Sequence, residues 1–276
     1  MNSIVVGFDG TEPSFVALDW AAQRAARRPT RVEIVTVDAL DLFADGVVDV
    51  ALADAELRVK DIAADAEVTS RSVSGRMPDA LARAAAEADL LVIGAHRRRP
   101  VRAALTGWRP LRTVSRSAVP VVVVPGDWTD PDGPVLVGVD EDDSSSAAVT
   151  LAAAEASDAG VGLTLLHAWQ MPVPTMDGSV ALLPSPIQEK AAHRRILTRV
   201  SEQVLSQHPG LKVDWILARE NPSTALLMET RRSSLLVLGT HRRGLMAGAF
   251  LGSVGQDALV ESRIPVCVVP TTSTSE

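Results

Sequence analysis

The segment LGTHRRGLMAGAFLGSVG, residues 238–255, has the composition of a phosphate-binding loop, with five glycines in eighteen positions. Its Gly252-Ser253 pair stands where the composition predicts that a helix begins. The first N–H groups of a helix lack intrahelical partners and lie at the positive end of its dipole, so they favour an anion. Gly252 would let a phosphate approach the backbone, and Ser253 offers a hydroxyl donor. The alternative is a loop that only ends a strand and caps a helix.

The sequence does not support other known functions of a glycine loop or an acidic run. The sequence has no Gly-x4-Gly-Lys-Ser/Thr motif and no glycine-rich turn after the first strand, which argues against a P-loop and a Rossmann dinucleotide site. The acidic run at 140–143 resembles the Mg²⁺-binding acids of a response regulator, but no phosphoacceptor aspartate follows the third strand. No Ser/His/Asp or Cys/His arrangement can be placed on facing strand ends, so we expect no catalytic residue.

The histidines and the single cysteine do not predict a metal site. His96 and His241 occupy equivalent places in two copies of a repeat, which indicates a loop contact, and no second ligand lies at metal spacing. We expect His167, at the end of a strand, to be buried and hydrogen-bonded. Cys267 is expected to pack in the core, and we expect no metal ligand among these residues.

An internal repeat organises the chain and positions the candidate loop. IVVGFD at 4–9 recurs as LVGVD at 136–140, with the shared aspartates Asp9 and Asp140 separated by 131 positions. LLVIGAHRR at 90–98 recurs as LLVLGTHRR at 235–243, 145 positions later. The second copy therefore carries about fourteen more residues, most of them placed in the Pro-rich stretch 171–186. A Gly/Pro/Asp linker at 126–133 separates the copies, and we predict domains at 1–127 and 134–272.

Each copy alternates short apolar strands with helices, which predicts a doubly wound α/β domain with a five-stranded parallel sheet. Ligands of such sheets bind at the carboxyl ends of the strands, where Asp9, Asp140 and the two glycine loops fall. Helix caps are expected at Thr11 and within 144–146. The predicted strands are 4–8, 32–37, 68–73, 90–93, 121–124, 135–139, 162–167, 213–218, 235–238 and 266–269. The predicted helices include 15–27, 50–66, 78–87, 147–157, 190–206 and 222–231.

Composition restricts the partners and the compartment. The net charge of −7 argues against binding to nucleic acid or to an anionic membrane surface, and aromatic residues at 3% are too few for base-stacking platforms. No apolar run approaches the ~20 residues that span a bilayer. One cysteine cannot form an internal disulfide, which fits a reducing compartment. We therefore expect a cytoplasmic protein.

These residues resemble the signature of the universal stress protein family, Gly-x2-Gly-x9-Gly-Ser/Thr after the fourth strand with an aspartate after the first. The resemblance covers the whole chain as two tandem domains. It implies an adenine nucleotide α-hydrolase-like fold and a site for ATP, with Mg²⁺ as a companion of the nucleotide. It also implies that the fifth strands of the two copies pair antiparallel in an internal pseudo-dimer. In the second copy the matching positions are Asp140, Ala168, Gly239, Gly252, Ser253 and Val254, and in the first they are Asp9, Val37, Gly94 and Gly107.

The chain departs from this signature at several positions. Arg242 stands where the family has its second glycine, and it could obstruct the phosphates, bind them through its guanidinium, or leave the role to Gly244. In the first copy Arg97 replaces the second glycine and Trp108 replaces the Ser/Thr. We therefore expect nucleotide binding in the second domain and a degenerate site in the first.

The resemblance leaves more than one function open. It implies a stress-response regulator with at most weak ATP hydrolysis, and whole chains could pair again as a homodimer. The alternative is a nucleotide-independent module that uses the same fold to bind an unknown protein partner.

Overall fold

Strands and helices alternate along the described part of the chain. A computed structural model describes residues 2–38, 45–96, 109–141, 145–171, 185–240 and 251–270, with the backbone alone at 45–49 and 109. Its strands are β1 (Asn2–Gly7), β2 (Thr30–Asp38), β3 (Glu67–Ser74), β4 (Leu90–Ala95), β5 (Val121–Pro125), β6 (Val135–Gly138), β7 (Leu163–Ala168), β8 (Val213–Ala218), β9 (Leu235–Gly239) and β10 (Val266–Val269). Its α-helices are α1 (Glu12–Ala25), α2 (Asp45–Ile62), α3 (Asp79–Ala84), α4 (Arg109–Arg116), α5 (Ser146–Ala159), α6 (Pro186–Gln207), α7 (Pro222–Glu229) and α8 (Ser253–Glu261).

The ten strands form one sheet in the order β3-β2-β1-β4-β5-β10-β9-β6-β7-β8. All neighbours are parallel except β5 and β10, which pair antiparallel. Each half therefore has the order 3-2-1-4-5, with its first and fourth strands side by side. The predicted fold class and the internal pseudo-dimer are confirmed.

A pseudo-twofold axis passes between β5 and β10, and equivalent residues of the repeat meet there. Val122 and Cys267, which are 145 positions apart, are direct partners in the β5–β10 register. Arg24 of α1 and Glu155 of α5, which are 131 positions apart, form an ion pair of 2.5 Å with side chains only 6% and 7% exposed. The repeat thus brings a base in one half against an acid at the same position of the other.

Helices cover both faces of the sheet and form two cores that continue from one half to the other. One core contains apolar residues of α1, α2, α5 and α6, and the other contains apolar residues of α3, α4, α7 and α8. Cys267 packs in the first core as predicted, and its burial raises the pKa of the thiol well above its ordinary value. Among the described residues, no helix combines the length and apolar character needed to cross a bilayer.

The N-cap positions of α1 and α5 agree with the sequence prediction, whereas the hydrogen bonds of the capping side chains do not. Helix α1 begins at Glu12 rather than at residue 15, with Pro13 in its first turn. Thr11 is the N-cap residue of α1, but its hydroxyl donates to the carboxylate of Asp9 at 2.5 Å rather than accepting from an N–H of the helix. At α5, the hydroxyl oxygen of Ser145 accepts from the backbone N–H of Asp140. Thr11 and Ser145 thus occupy predicted N-cap positions, but neither side chain caps its helix, because each hydroxyl is bonded to the aspartate that follows the preceding strand.

Candidate functional site

A cavity of about 230 Å³ opens at the carboxyl ends of β6, β7 and β9 in the second half. Apolar side chains from Leu166, Leu226 and Leu238 form one wall, and the start of α8 forms another. The structure brings together at this cavity six of the predicted residues, namely Asp140, Ala168, Gly239, Gly252, Ser253 and Val254. The seventh, Arg242, lies outside the described residues.

The start of α8 lines this cavity with backbone donors that have no partner in the described part of the chain. Gly252 is the N-cap residue and accepts the helix's first backbone hydrogen bond, from Gln256, at 3.1 Å. The N–H groups of residues 253–255 therefore precede the first intrahelical donor. The Gln256 side chain donates to the Leu251 carbonyl at 2.9 Å and ties the loop end to the helix. This geometry suits an anionic group at the mouth of the cavity.

Gly252 is not required by the fold of the described residues. Its φ of −59° and ψ of 167° are open to any residue, and a Cβ added there would meet no described atom within 4 Å. Gly94, the first-half match to the signature's first glycine, is different. A Cβ at Gly94 would overlap the backbone carbonyl of Pro13, so the close passage of α1 over β4 requires glycine there. Gly94 therefore has a structural reason to be glycine, whereas the described residues give no such reason for Gly252.

Asp140 places a carboxylate beside these donors. Its Oδ1 accepts from the Glu141 N–H at 2.7 Å, and its own N–H donates to Ser145. The side chain is exposed and lines the cavity. A carboxylate repels anionic oxygens, so Asp140 suits a hydroxyl group or a cation better than an anion. Ser145 was not a predicted site residue. It lines the cavity and accepts from the backbone N–H of Asp140, a contact that the sequence alone does not indicate.

The first half has a larger cavity at the same place, of about 340 Å³. Asp9, Val37 and Gly94 line it, and Asp9 Oδ1 accepts from the Thr11 N–H at 3.1 Å. Gly107, the remaining predicted residue, lies outside the described residues. Arg97 and Trp108, which led to the prediction that this site does not bind a nucleotide, also lie outside them. The difference between the two halves therefore stays a prediction from the sequence.

A buried pair of histidines occupies the other face of β7. His167 Nδ1 donates to the Val139 carbonyl at 2.8 Å, which confirms the expected buried, hydrogen-bonded histidine. Its Nε2 lies 2.9 Å from Nδ1 of His193, a buried residue of α6. Burial and the proximity of His167 lower the pKa of His193, opposed in part by Glu141 and Glu189. Sequence reasoning missed this contact, because His193 lies on a different element and twenty-six residues further along the chain.

The fold and the site together define a class: a tandem doubly wound α/β protein with an anion-favouring helix start and an acidic residue at the carboxyl edge of its sheet. The chain belongs to the universal stress protein family, whose model matches residues 1–125 and again 133–270.

Relatives of similar length match nearly the whole chain. A universal stress protein of Mycobacterium tuberculosis is 28% identical over 292 residues, which cover 97% of this chain and 96% of the relative. One from Mycolicibacterium smegmatis is 27% identical over 292 residues and covers 96% of each chain. The crystal structure of a universal stress protein from Archaeoglobus fulgidus superposes with a TM-score of 0.68 at 18% identity, over 99% of this chain and 98% of that one. This last similarity shows the fold alone.

Proposed function

We propose that the second half binds ATP or a related adenine nucleotide and that the protein acts as a cytoplasmic stress-response regulator. The observation that carries this proposal is Gly252, a glycine that neither the backbone nor the described packing requires, at a helix start that lines a cavity. A phosphate group in that open space would accept from the N–H groups that open α8.

The remaining residues of the cavity suit the other parts of a nucleotide. The apolar wall of Leu166, Leu226 and Leu238 offers contact to the flat face of a base. By the family resemblance, the backbone of Ala168 would meet the adenine edge. The Asp140 carboxylate is an acceptor for a ribose hydroxyl or a ligand for an accompanying Mg²⁺. The proposed role is sensing through occupancy, with at most slow hydrolysis of the nucleotide.

Asp140→Ala is expected to weaken ATP binding about tenfold, because the carboxylate is lost from the cavity while the exposed position tolerates alanine. Isothermal titration calorimetry of the full chain with ATP and Mg²⁺ measures the affinity. Asp9→Ala is the matched control, since it removes the equivalent carboxylate of the first half. We expect that variant to titrate like the unmodified protein.

The same titration separates this proposal from the alternative. Absence of heat at millimolar ATP, together with no nucleotide released from the purified protein, would contradict the proposal and favour a nucleotide-independent interaction module. An effect of Asp9→Ala with none of Asp140→Ala would assign the site to the first half instead.

A further inference from the structure

We propose that Glu141, His167 and His193 form a binding site for a divalent transition metal of the Zn²⁺ type. One ligand atom from each of the three side chains lies within 4.8 Å of the other two. The Nε2 of His167 and Nδ1 of His193 are 2.9 Å apart, and Nδ1 of His193 is 3.5 Å from Oε1 of Glu141. Two donors of a tetrahedral zinc lie about 3.3 Å apart, given Zn–N and Zn–O bonds of roughly 2.0–2.1 Å. The two measured separations fall on either side of that value.

The hydrogen bond at the far nitrogen of His167 directs its lone pair into the cluster. A carbonyl oxygen only accepts, so Nδ1 of His167 carries a hydrogen that it donates to Val139. The Nε2 of the neutral ring is then unprotonated and faces His193. Metal-binding histidines commonly have this arrangement, with one nitrogen free for the metal and the other held by a backbone carbonyl or carboxylate.

His193 has more acceptors around it than a neutral ring can satisfy. Its Nδ1 faces His167 and Glu141, while its Nε2 lies 3.8 Å from Oε2 of Glu189, one turn earlier on α6. A neutral imidazole has one N–H, so a proton on Nδ1 leaves Nε2 with a lone pair toward the Glu189 carboxylate. A metal on Nδ1 moves that proton to Nε2 and directs it toward Glu189. Trp169 stacks on the His193 ring at 4.8 Å and holds its plane.

The first half shows that the fold does not need a histidine here. Thr36 is the repeat equivalent of His167, and its hydroxyl donates to the carbonyl of Phe8, the equivalent of Val139. Threonine therefore satisfies the same carbonyl without a second nitrogen. The equivalent of Glu141 is Gly10, which has no ligand atom in its side chain. His167 and Glu141 are thus features of the second half and not of the shared scaffold.

This metal site is separate from the proposed nucleotide site. Successive residues of a strand point to opposite faces of the sheet, so His167 faces α6 whereas Ala168 lines the cavity. Two imidazole nitrogens with one carboxylate suit Zn²⁺ better than Mg²⁺ or Ca²⁺, which prefer oxygen ligands alone. The bound ion would join the ends of β6 and β7 to α6.

The test is a titration of the full chain with Zn²⁺ in nucleotide-free buffer, followed by calorimetry and by the absorption spectrum of the Co²⁺-substituted protein. We expect one Zn²⁺ per chain. His193→Gln is expected to abolish binding, and Glu189→Gln to weaken it by about 10–100-fold through the lost contact to the His193 ring. His208→Gln, at the end of the same helix, is the matched control and should bind like the unmodified chain.

Glu141→Gln keeps the test decisive if the buried histidine variant fails to fold. Glu141 is exposed, so this variant should keep its thermal midpoint and yet lose at least about tenfold in Zn²⁺ affinity. Failure of the unmodified chain to bind Zn²⁺ would overturn the proposal. Binding that Glu141→Gln and Glu189→Gln both leave unchanged would also overturn it, because the ion would then occupy another site.

Discussion

Glu155→Ala is expected to lower the free energy of unfolding by about 3–5 kcal/mol, since it leaves the guanidinium of Arg24 buried without its counter-charge. Both Nε and Nη2 of Arg24 donate to the Glu155 carboxylate at 2.5–3.0 Å. The Nη1 of Arg24 has no hydrogen-bond partner in the described part of the chain. Removal of Glu155 therefore costs more than one surface ion pair would. Urea denaturation, followed by circular dichroism, measures the change.

The neighbouring pair Arg28–Asp158 is the matched control for this prediction. It joins the turn that follows α1 to helix α5 with a 2.7 Å contact, but its side chains are 35% and 29% exposed. Asp158→Ala should cost less than about 1 kcal/mol, because water screens the exposed charges. A second control replaces both partners, Arg24→Leu with Glu155→Leu, and should recover most of the loss by removing the isolated charge. Equal losses in Glu155→Ala and Asp158→Ala would contradict the argument.

The Arg24–Glu155 pair also bears on how the two halves recognise each other. Equivalent positions meet at the pseudo-twofold axis, so a symmetric pairing of two first halves would oppose two Arg24 guanidinium groups. A pairing of two second halves would likewise oppose two Glu155 carboxylates. Like charges at such short range are strongly unfavourable when buried, so the opposite charges favour pairing of the first half with the second.

Gly252→Val is expected to reduce ATP affinity about 100-fold, or roughly 2.7 kcal/mol, while the fold stays intact. A Cβ at Gly252 would meet no described atom within 4 Å, so among the described residues the added side chain competes with the ligand and not with other side chains. A calorimetric titration with ATP gives the affinity, and a thermal melt checks the fold.

Gly210→Val is the matched control, because a Cβ at Gly210 also meets no described atom within 4 Å and Gly210 lies away from the cavity. It should leave the ATP affinity unchanged. If Gly252→Val binds ATP like the unmodified chain, the phosphates do not lie against the start of α8.

Much of the fold could be predicted because the same pattern of strands and helices occurs twice in the sequence. The offsets of 131 and 145 between repeated segments fix the equivalence of the strands, and short apolar runs identify them as buried parallel strands. The Arg24–Glu155 contact could also have been predicted from the offset of 131, since the two charged residues occupy equivalent positions in alanine-rich helices. Its prediction needed the further step that equivalent residues meet at a pseudo-twofold axis.

The histidine cluster could not be predicted from spacing. Glu141, His167 and His193 come from a loop, a strand and a helix, and their contact depends on how α6 is rotated about its own axis. An amphipathic pattern fixes that rotation only to within a broad face. Thr11 and Ser145 do occupy N-cap positions, but the sequence could not predict that their hydroxyls bind to Asp9 and Asp140, because a hydroxyl has several possible partners nearby.

The most direct test of the nucleotide proposal is hydrogen–deuterium exchange of the full chain with and without ATP. Amides that donate to phosphate oxygens exchange more slowly, so we expect ATP to slow exchange in peptides that cover the start of α8 at 252–256. Peptides that cover α4 in the first half should not change. Unchanged exchange at 252–256 under saturating ATP, or slowing confined to α4, would contradict the account.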